Sequence, residues 1–294
     1  MRYSNFAIVA SFFGLWINSF FSSDIQLYLG FILIFSFGIL HGANDVALIS
    51  NVNNTNTTLR FSQILTYYVV IVVAGAAMFY LVPWLALALF ILVSGYHFGE
   101  QQWNEKLKIE NKPIKLIFQM VYGLLVLFLL FTFHTSEVRD VAYAITMKTI
   151  PLPYFSIIFK AIVTLYVVLC TYVYWKMRSF QLYFIVELFY LIVFAILFKA
   201  SSLIWGFALY FILWHSIPSI IDQIKFLHGH ASCKNFKLYF RAAFVYWVAS
   251  LLGITMLYLI FKEQKIFNAL FFSFLASITF PHVLVIQKMF GNKK

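Results

Sequence analysis

Residues 81–103 read LVPWLALALFILVSGYHFGEQQW, an apolar run that ends in a histidine, a glutamate and a tryptophan. A run of about 20 apolar residues is long enough for a helix to cross the hydrocarbon core of a membrane. Because lipid offers the backbone no hydrogen-bond partners, a helix is the structure to expect there. The stretch predicts a membrane-spanning helix that carries His97 and Glu100 near one end.

The whole chain has the same character. Of its 294 residues, 63% are hydrophobic and 11% are charged, whereas a soluble domain carries about 25% charged residues. The composition predicts an all-α, polytopic transmembrane helix bundle. A net charge of +11 could suggest a nucleic-acid partner. The basic residues lie in short loops between apolar runs, however, where membrane topology accounts for them, and we expect no nucleic acid.

Ten apolar stretches are candidates for spans, within one integral-membrane domain over residues 1–294. They run roughly over residues 5–21, 25–49, 62–82, 84–103, 114–133, 152–175, 181–198, 202–223, 238–261 and 266–288. The first is short and could pass for a signal peptide. It lacks a clear A-x-A-like cleavage site, which favours an uncleaved span.

The basic residues also predict an orientation. With the N-terminus in the cytoplasm, fifteen of the 21 Lys and Arg residues fall on the inner side and five on the outer side, with Lys160 inside a span. Cytoplasmic loops of membrane proteins carry such an excess. We expect both termini in the cytoplasm and a multi-pass protein of the cell (inner) membrane.

Four of the seven histidines fall inside predicted spans: His41, His97, His215 and His282. All four spans are even-numbered and run in the same direction. At about 1.5 Å per residue, each histidine lies about 20–24 Å from the outer end of its span. The four are therefore expected in one layer. The other three, His134, His228 and His230, are expected to be solvated loop residues.

Four intramembrane histidines at one depth favour a metal site over four separate structural residues, since neutral imidazole is the commonest side-chain metal ligand. Imidazole suits iron, copper, nickel and zinc. The absence of a nearby thiolate in the sequence argues against zinc–cysteine and iron–sulfur sites. Four histidines would close the coordination of zinc but could leave positions open on an octahedral Fe(II) that must bind dioxygen.

Carboxylates near these histidines are candidates for hydrogen-bonded supports, which metal-bound histidines usually have. Asp45 lies four residues after His41, Glu100 lies three after His97, and Glu187 stands alone in the seventh span. Asp45 and Glu100 could equally face water at the inner side. The weaker candidates are Asp222, Ser94, Ser216, Asn44 and Tyr96. Small or helix-bending residues that permit close helix approach flank the histidines: Gly42, Gly95, Gly99 and Pro218.

Four stretches carry a family resemblance: HGANDVALI (41–49), SGYHFGEQQW (94–103), WHSIPSIIDQI (214–224) and FPHVLVI (280–286). In this order they resemble the Brp/Blh family of integral-membrane β-carotene 15,15′-dioxygenases, over nearly the whole chain. The resemblance implies that Fe(II) is held by His41, His97, His215 and His282. It also implies cleavage of the central double bond of β-carotene with O2 to give two retinals, and possible delivery of retinal to a rhodopsin. The family often has another residue where this chain has Asn44.

Two other functions fit intramembrane histidines. A metal-ion or proton transporter also uses histidine and carboxylate relays. A transporter should show paired internal repeats and broken helices in corresponding halves, and the sequence shows neither. A structural assembly partner for a rhodopsin is the third interpretation.

Overall fold

The computed structural model describes residues 3–53, 61–260 and 264–291, and these residues form helices without any strand. The α-helices are α1 (Tyr3–Asn18), α2 (Ser23–Leu33), α3 (Asp45–Asn53), α4 (Phe61–Leu81), α5 (Pro83–Trp103), α6 (Lys112–Phe133), α7 (Thr135–Thr146), α8 (Leu152–Lys176), α9 (Arg178–Lys199), α10 (Leu203–Tyr210), α11 (Ile217–His228), α12 (Cys233–Ile260) and α13 (Gln264–Gly291). Two π-helical segments, Ile34–Gly38 and Phe211–Ser216, complete the set. The all-α prediction is confirmed.

Seven helical segments of the described residues are long and apolar enough to cross a membrane. They are Ser62–Leu81, Lys112–Phe133, Leu152–Lys176, Arg178–Lys199, Leu203–His228, Cys233–Ile260 and Leu270–Gly291. The protein is therefore a membrane protein, while the count of ten spans, the cytoplasmic termini and the inner membrane stay predictions. Five residues used in the charge count lie outside the described residues: Arg2, Arg60, Lys262, Lys293 and Lys294.

The second predicted span, residues 25–49, is wrong as one continuous helix. It consists of α2, the π-helical segment Ile34–Gly38, a turn at residues 41–44 and then α3. Glycine is a poor helix former, and Gly38 and Gly42 fall at this break. The turn is held from α11 and α12: the Gln223 amide donates to the His41 carbonyl over 2.8 Å, and the Tyr239 hydroxyl donates to Gln223 over 2.8 Å.

The eighth predicted span, residues 202–223, also departs from regular α-helix. α10 passes into the π-helical segment Phe211–Ser216 and then into α11. Pro218 has no backbone N–H to donate to the carbonyl of Trp214, and its ring would crowd that carbonyl in an α-helix. A wider turn at this point relieves the conflict, and it places His215 in a π-helix.

The chain divides into two compact units, each made of separated segments. The first unit comprises Met1–Ile34, Ile91–Asp140 and Thr149–His215. The second comprises Phe35–Phe90, Val141–Lys148 and Ser216–Lys294. The expected single domain stays a prediction.

In the first unit, α6 packs against α8 and α9, and α10 packs against α2. Glycines let α5 and α6 touch at their backbones. A Cβ on Gly99 would collide with the Gln119 carbonyl oxygen, and a Cβ on Gly123 would collide with the Gly95 carbonyl oxygen. Small residues four apart allow helices in membranes to approach this closely. The close approach expected around His97 is confirmed, and it fixes the end of α5 that carries His97.

In the second unit, α13 packs against α4 and α3. One apolar cluster joins α3 to the end of α13 and consists of Leu48, Val285, Ile286, Met289 and Phe290. A second cluster joins the break before α3 to α11 and α12 and consists of Leu40, Ile220, Ile224, Tyr239 and Ala243. These clusters hold the segment around His41 against the helix that carries His282.

The expectation that His134 is solvated is wrong. Its side chain is 9% exposed at the C-terminal end of α6. Its Nδ1 lies 3.2 Å from the Glu137 carboxylate, and its Nε2 donates to the Phe198 carbonyl over 2.9 Å. Because both partners accept, both ring nitrogens donate when the ring is protonated. Burial acts to lower the pKa of His134, but the Glu137 carboxylate and the Phe198 carbonyl together raise it.

This raised pKa predicts a pH-dependent stability. A group whose pKa is higher in the folded state stabilises the fold fully below its unfolded pKa, about 6.5 for histidine, and the contribution is lost as pH rises through the folded pKa. The melting temperature of the wild-type protein should fall as the pH rises above about 6.5 and through the folded-state pKa of His134. His134→Gln and Glu137→Gln should each flatten that fall in thermal unfolding. An unchanged slope in both variants would refute the assignment.

The glycine contact in the first unit gives a second prediction. Gly99→Ala should destabilise the protein by about 1–3 kcal/mol or more, because the added methyl group overpacks against backbone that has no room to move. Gly253→Ala is the matched control, since an added Cβ there meets no described atom within 4 Å. It should be neutral or stabilising by up to about 1 kcal/mol. Thermal unfolding of the two variants in detergent measures the difference, and equal melting temperatures would contradict the packing argument.

Candidate metal centre

The second unit holds one histidine pair, His41 and His282. Their rings meet edge to face, with centroids 4.7 Å apart and planes at 88°. Both side chains are buried, at 6% and 3% exposure. At this separation, one nitrogen from each ring can reach the same ion at the usual distance of about 2.1 Å.

Hydrogen bonds to Nδ1 set the tautomers of this pair. The His282 Nδ1 lies 2.8 Å from Asp45 Oδ1, and the His41 Nδ1 contacts the Gly38 carbonyl oxygen. A carbonyl oxygen only accepts, so the His41 Nδ1 must carry the proton, and an ionised carboxylate imposes the same choice on His282. Each neutral ring then has its lone pair at Nε2, which is the arrangement typical of histidines that bind metal ions.

Asp45 is itself fixed by a third residue. Its second oxygen accepts a hydrogen bond from the Tyr68 hydroxyl on α4 over 2.9 Å. The alternative that Asp45 faces water is wrong, because its side chain is 1% exposed. The carboxylate bonds to His282 on α13, and the turn at residues 41–44 separates Asp45 from His41, which lies four residues before it in the sequence.

The turn that carries His41 has a polar support of its own. Asn44 is 1% exposed, and its amide donates to the Tyr239 carbonyl over 2.9 Å. Together with Gln223 and Tyr239, it ties the backbone at residues 40–44 to α11 and α12. Asn44 therefore helps to hold the histidine turn in place.

The first unit holds the other pair, His97 and His215. Their ring centroids are 4.6 Å apart with planes at 78°, and their exposures are 2% and 1%. Phe211 stacks on the His215 ring at 5.4 Å, and the Phe98 ring meets it at 4.7 Å. His215 thus has an apolar aromatic wall, and it lies in a π-helix, which often marks a functional site.

The remaining predicted carboxylates lie in the first unit. Glu100 accepts a hydrogen bond from the Tyr96 hydroxyl over 2.7 Å and is 4% exposed, so the water-facing alternative is wrong for it too. Glu187 does not stand alone. Its two oxygens bind the Lys106 ammonium at 2.6 Å and the Gln102 amide at 2.7 Å. This ion pair ties α9 to the loop after α5, while support of a histidine by Glu100 or Glu187 stays a prediction.

Three features around the buried histidines were not predicted from the sequence: the Tyr68 hydroxyl, the Gly38 carbonyl and the π-helix that contains His215. Tyr68 lies in the apolar run TYYVVIVV, where nothing distinguishes it from its neighbours. A backbone carbonyl leaves no mark in a sequence. The proline three residues after His215 was the one available indication that the helix there is irregular.

The remaining weaker candidates are two serines and Asp222. Ser94 and Ser216 are buried, at 5% and 0% exposure. Asp222 is partly exposed and forms an ion pair with Lys225 at 3.7 Å, one turn along α11. Its partner Lys225 is 51% exposed on the same helix, so Asp222 serves below as the comparison carboxylate.

Comparison with known proteins bears on the whole chain. A family model described as Beta-carotene 15,15'-dioxygenase matches residues 32–290. A search of curated proteins and a search of solved structures gave no match. The matched region contains His41, His97, His215 and His282 and the four stretches that carry the Brp/Blh resemblance, and the match confirms that resemblance. Because the match extends over well above half of its residues, the chain belongs to the beta-carotene 15,15'-dioxygenase family.

Proposed function

We propose that the protein is a membrane-embedded, non-haem iron oxygenase that cleaves the central 15,15′ double bond of β-carotene with O2 to give two retinals. In this proposal His41, His97, His215 and His282 hold one Fe(II). The observation that carries it is the burial of these four family-motif histidines as two edge-on ring pairs, one in each unit.

The donor chemistry of these residues fits iron. The pair in the second unit presents Nε2 lone pairs, because Asp45 and the Gly38 carbonyl occupy the Nδ1 atoms. Imidazole suits iron among the divalent metals. When bound, Fe(II) with open coordination positions supplies the activation of dioxygen that no protein side chain provides.

The protein's own groups hold and shield this centre. Asp45 keeps the proton on His282 Nδ1, and Tyr68 keeps Asp45 in place. Rings of Phe98 and Phe211 cover His215 and exclude water on that side. No side chain has to act as a nucleophile. β-Carotene has no polar group, so the shape of an apolar path from the bilayer must determine which double bond is cut.

The transporter alternative has one observation in its favour. The helix break at residues 41–44 places His41 and Asp45 at irregular backbone, as in the discontinuous helices of transporters. Irregular backbone inside a membrane also occurs wherever it is buried in protein. Here the break is covered by α11 and α12 through Gln223 and Tyr239. Formation of retinal by the iron-loaded protein separates the two functions.

Expression in β-carotene-producing cells tests the proposal. Wild-type protein should remove the orange colour and yield retinal, and the purified protein should hold about one iron per chain. His97→Ala should lose most of the iron and the activity, because it removes a metal ligand. His230→Ala, at an exposed histidine in the loop after α11, should retain both. Stoichiometric iron in His97→Ala by elemental analysis would contradict the four-ligand assignment.

A second experiment tests the hydrogen-bonded supports. Asp45→Asn should lower iron affinity or turnover about 10–100-fold, as removal of such a partner of a metal ligand typically does. Tyr68→Phe should have a smaller effect of the same kind, since it removes only the group that holds Asp45. Asp222→Asn is the control and should retain wild-type iron and turnover. Wild-type iron content in Asp45→Asn would exclude Asp45 from this role.

Glu187→Gln should lower thermal stability, because it breaks the ion pair with Lys106.

A further inference from the structure

The first unit contains a groove that the metal centre does not use. It has a volume of about 580 Å³ and lies between α8 and α9, with Leu125 and Leu129 of α6 as its floor. Residues 163–175 of α8 and 184–195 of α9 bound its length, and its surface is almost wholly apolar. Its lining includes no histidine. It is therefore a separate feature whose occupant the proposed reaction does not define.

The length of the groove restricts the occupant. From Val163 to Trp175 the groove follows α8 for twelve residue steps, about 18 Å at 1.5 Å per residue. Half of the hydrocarbon core of a bilayer is about 15 Å. The groove covers only the half of α8 that ends at Lys176. It therefore matches a chain that occupies one leaflet, and it is too short for a C40 carotene.

Aromatic residues mark one end of the groove as the end at the membrane surface. Tyr174 and Trp175 line it there, and the Tyr174 ring meets Phe184 of α9 at 5.7 Å. The Gln181 amide donates to the Tyr174 carbonyl over 3.1 Å, which joins the two helices next to their connecting turn. Tyrosine and tryptophan are enriched where membrane proteins cross the headgroup level. An amphiphile in the groove would have its polar end here.

The charge at this end is positive. Lys176 and Arg178 flank the turn between α8 and α9, and both are exposed. The one acidic residue in α8 and α9 is Glu187, and Lys106 and Gln102 already bind its carboxylate. Lys160 lies beyond the other end of the groove, three residues before Val163. Basic residues at the membrane surface attract anionic lipids, and guanidinium matches the geometry of phosphate.

We propose that this groove binds an acyl chain of an anionic phospholipid, with the lipid phosphate beside Lys176 and Arg178. The acyl chain covers the exposed apolar surface between α8 and α9, where Val167 and Ile192 are 56% and 54% exposed. The two basic side chains select the charge of the headgroup. The protein thereby holds a structural lipid at a defined position in one leaflet.

Native mass spectrometry of the purified full-length protein tests this proposal. The protein is incubated with phosphatidylglycerol or phosphatidylcholine carrying the same acyl chains, and the lipids retained per chain are counted. One phosphatidylglycerol should be retained in preference to phosphatidylcholine. Lys176→Gln and Arg178→Gln should each weaken its retention about fivefold, as expected for the loss of one basic residue at a membrane surface. Lys160→Gln, at the other end, should leave retention unchanged.

A second pair of variants tests the groove itself. Ala195→Phe places a ring in the groove and should abolish retention of phosphatidylglycerol. Ala161→Phe puts the same ring on an exposed part of α8 outside the lining and should not. Thermal unfolding verifies that both variants are folded. If Ala195→Phe fails to fold, the Lys176→Gln and Arg178→Gln variants test the proposal, because both residues are exposed. Equal retention in wild type and folded Ala195→Phe overturns the proposal, as does equal weakening by Lys160→Gln. Displacement of the lipid by β-carotene, regardless of the charges at Lys176 and Arg178, also overturns it.

Discussion

An ionised carboxylate in an apolar interior is stable only when hydrogen-bond donors surround it, because burial without partners costs far more than folding can supply. Asp45 meets this requirement with two donors from two other helices, the Tyr68 hydroxyl of α4 and the His282 ring of α13. The three helices that these residues belong to, α3, α4 and α13, also pack against one another in the second unit. One carboxylate thus links the fold of this unit to the tautomer of the buried His282.

The same constraint applies to two other buried carboxylates. Glu187 accepts hydrogen bonds from Lys106 and Gln102, and Glu100 accepts one from Tyr96. At the break in the second predicted span, the His41 carbonyl would lack a helical donor, and the Gln223 amide supplies one. This break is thus compensated by a side chain from a distant part of the sequence.

The sequence was sufficient to predict the helices and the four histidines, because apolar length and intramembrane polarity are local properties. Most of the predicted stretches coincide with helices, but the π-helix within residues 202–223 and the break before Asp45 were missed. Its cause is tertiary: Gln223 and Tyr239 stabilise the turn from 182 and 198 residues away along the chain. The role of Tyr68 was hidden for the same reason, since its partner is defined only by folding. The glycines around His97 were correctly expected to allow close packing, because small size is itself the relevant property.

The contact between Asp45 and His282 joins residues 237 positions apart in the chain. At a synthesis rate of about 5–20 residues per second, the ribosome needs about 12–50 s to make the segment between them. During that time Asp45 has left the ribosome and its histidine partner does not yet exist. Until the last helix is inserted, this carboxylate must stay near water or pair with the Tyr68 hydroxyl. The contact that sets the tautomer of His282 therefore forms only when almost the whole chain has been made.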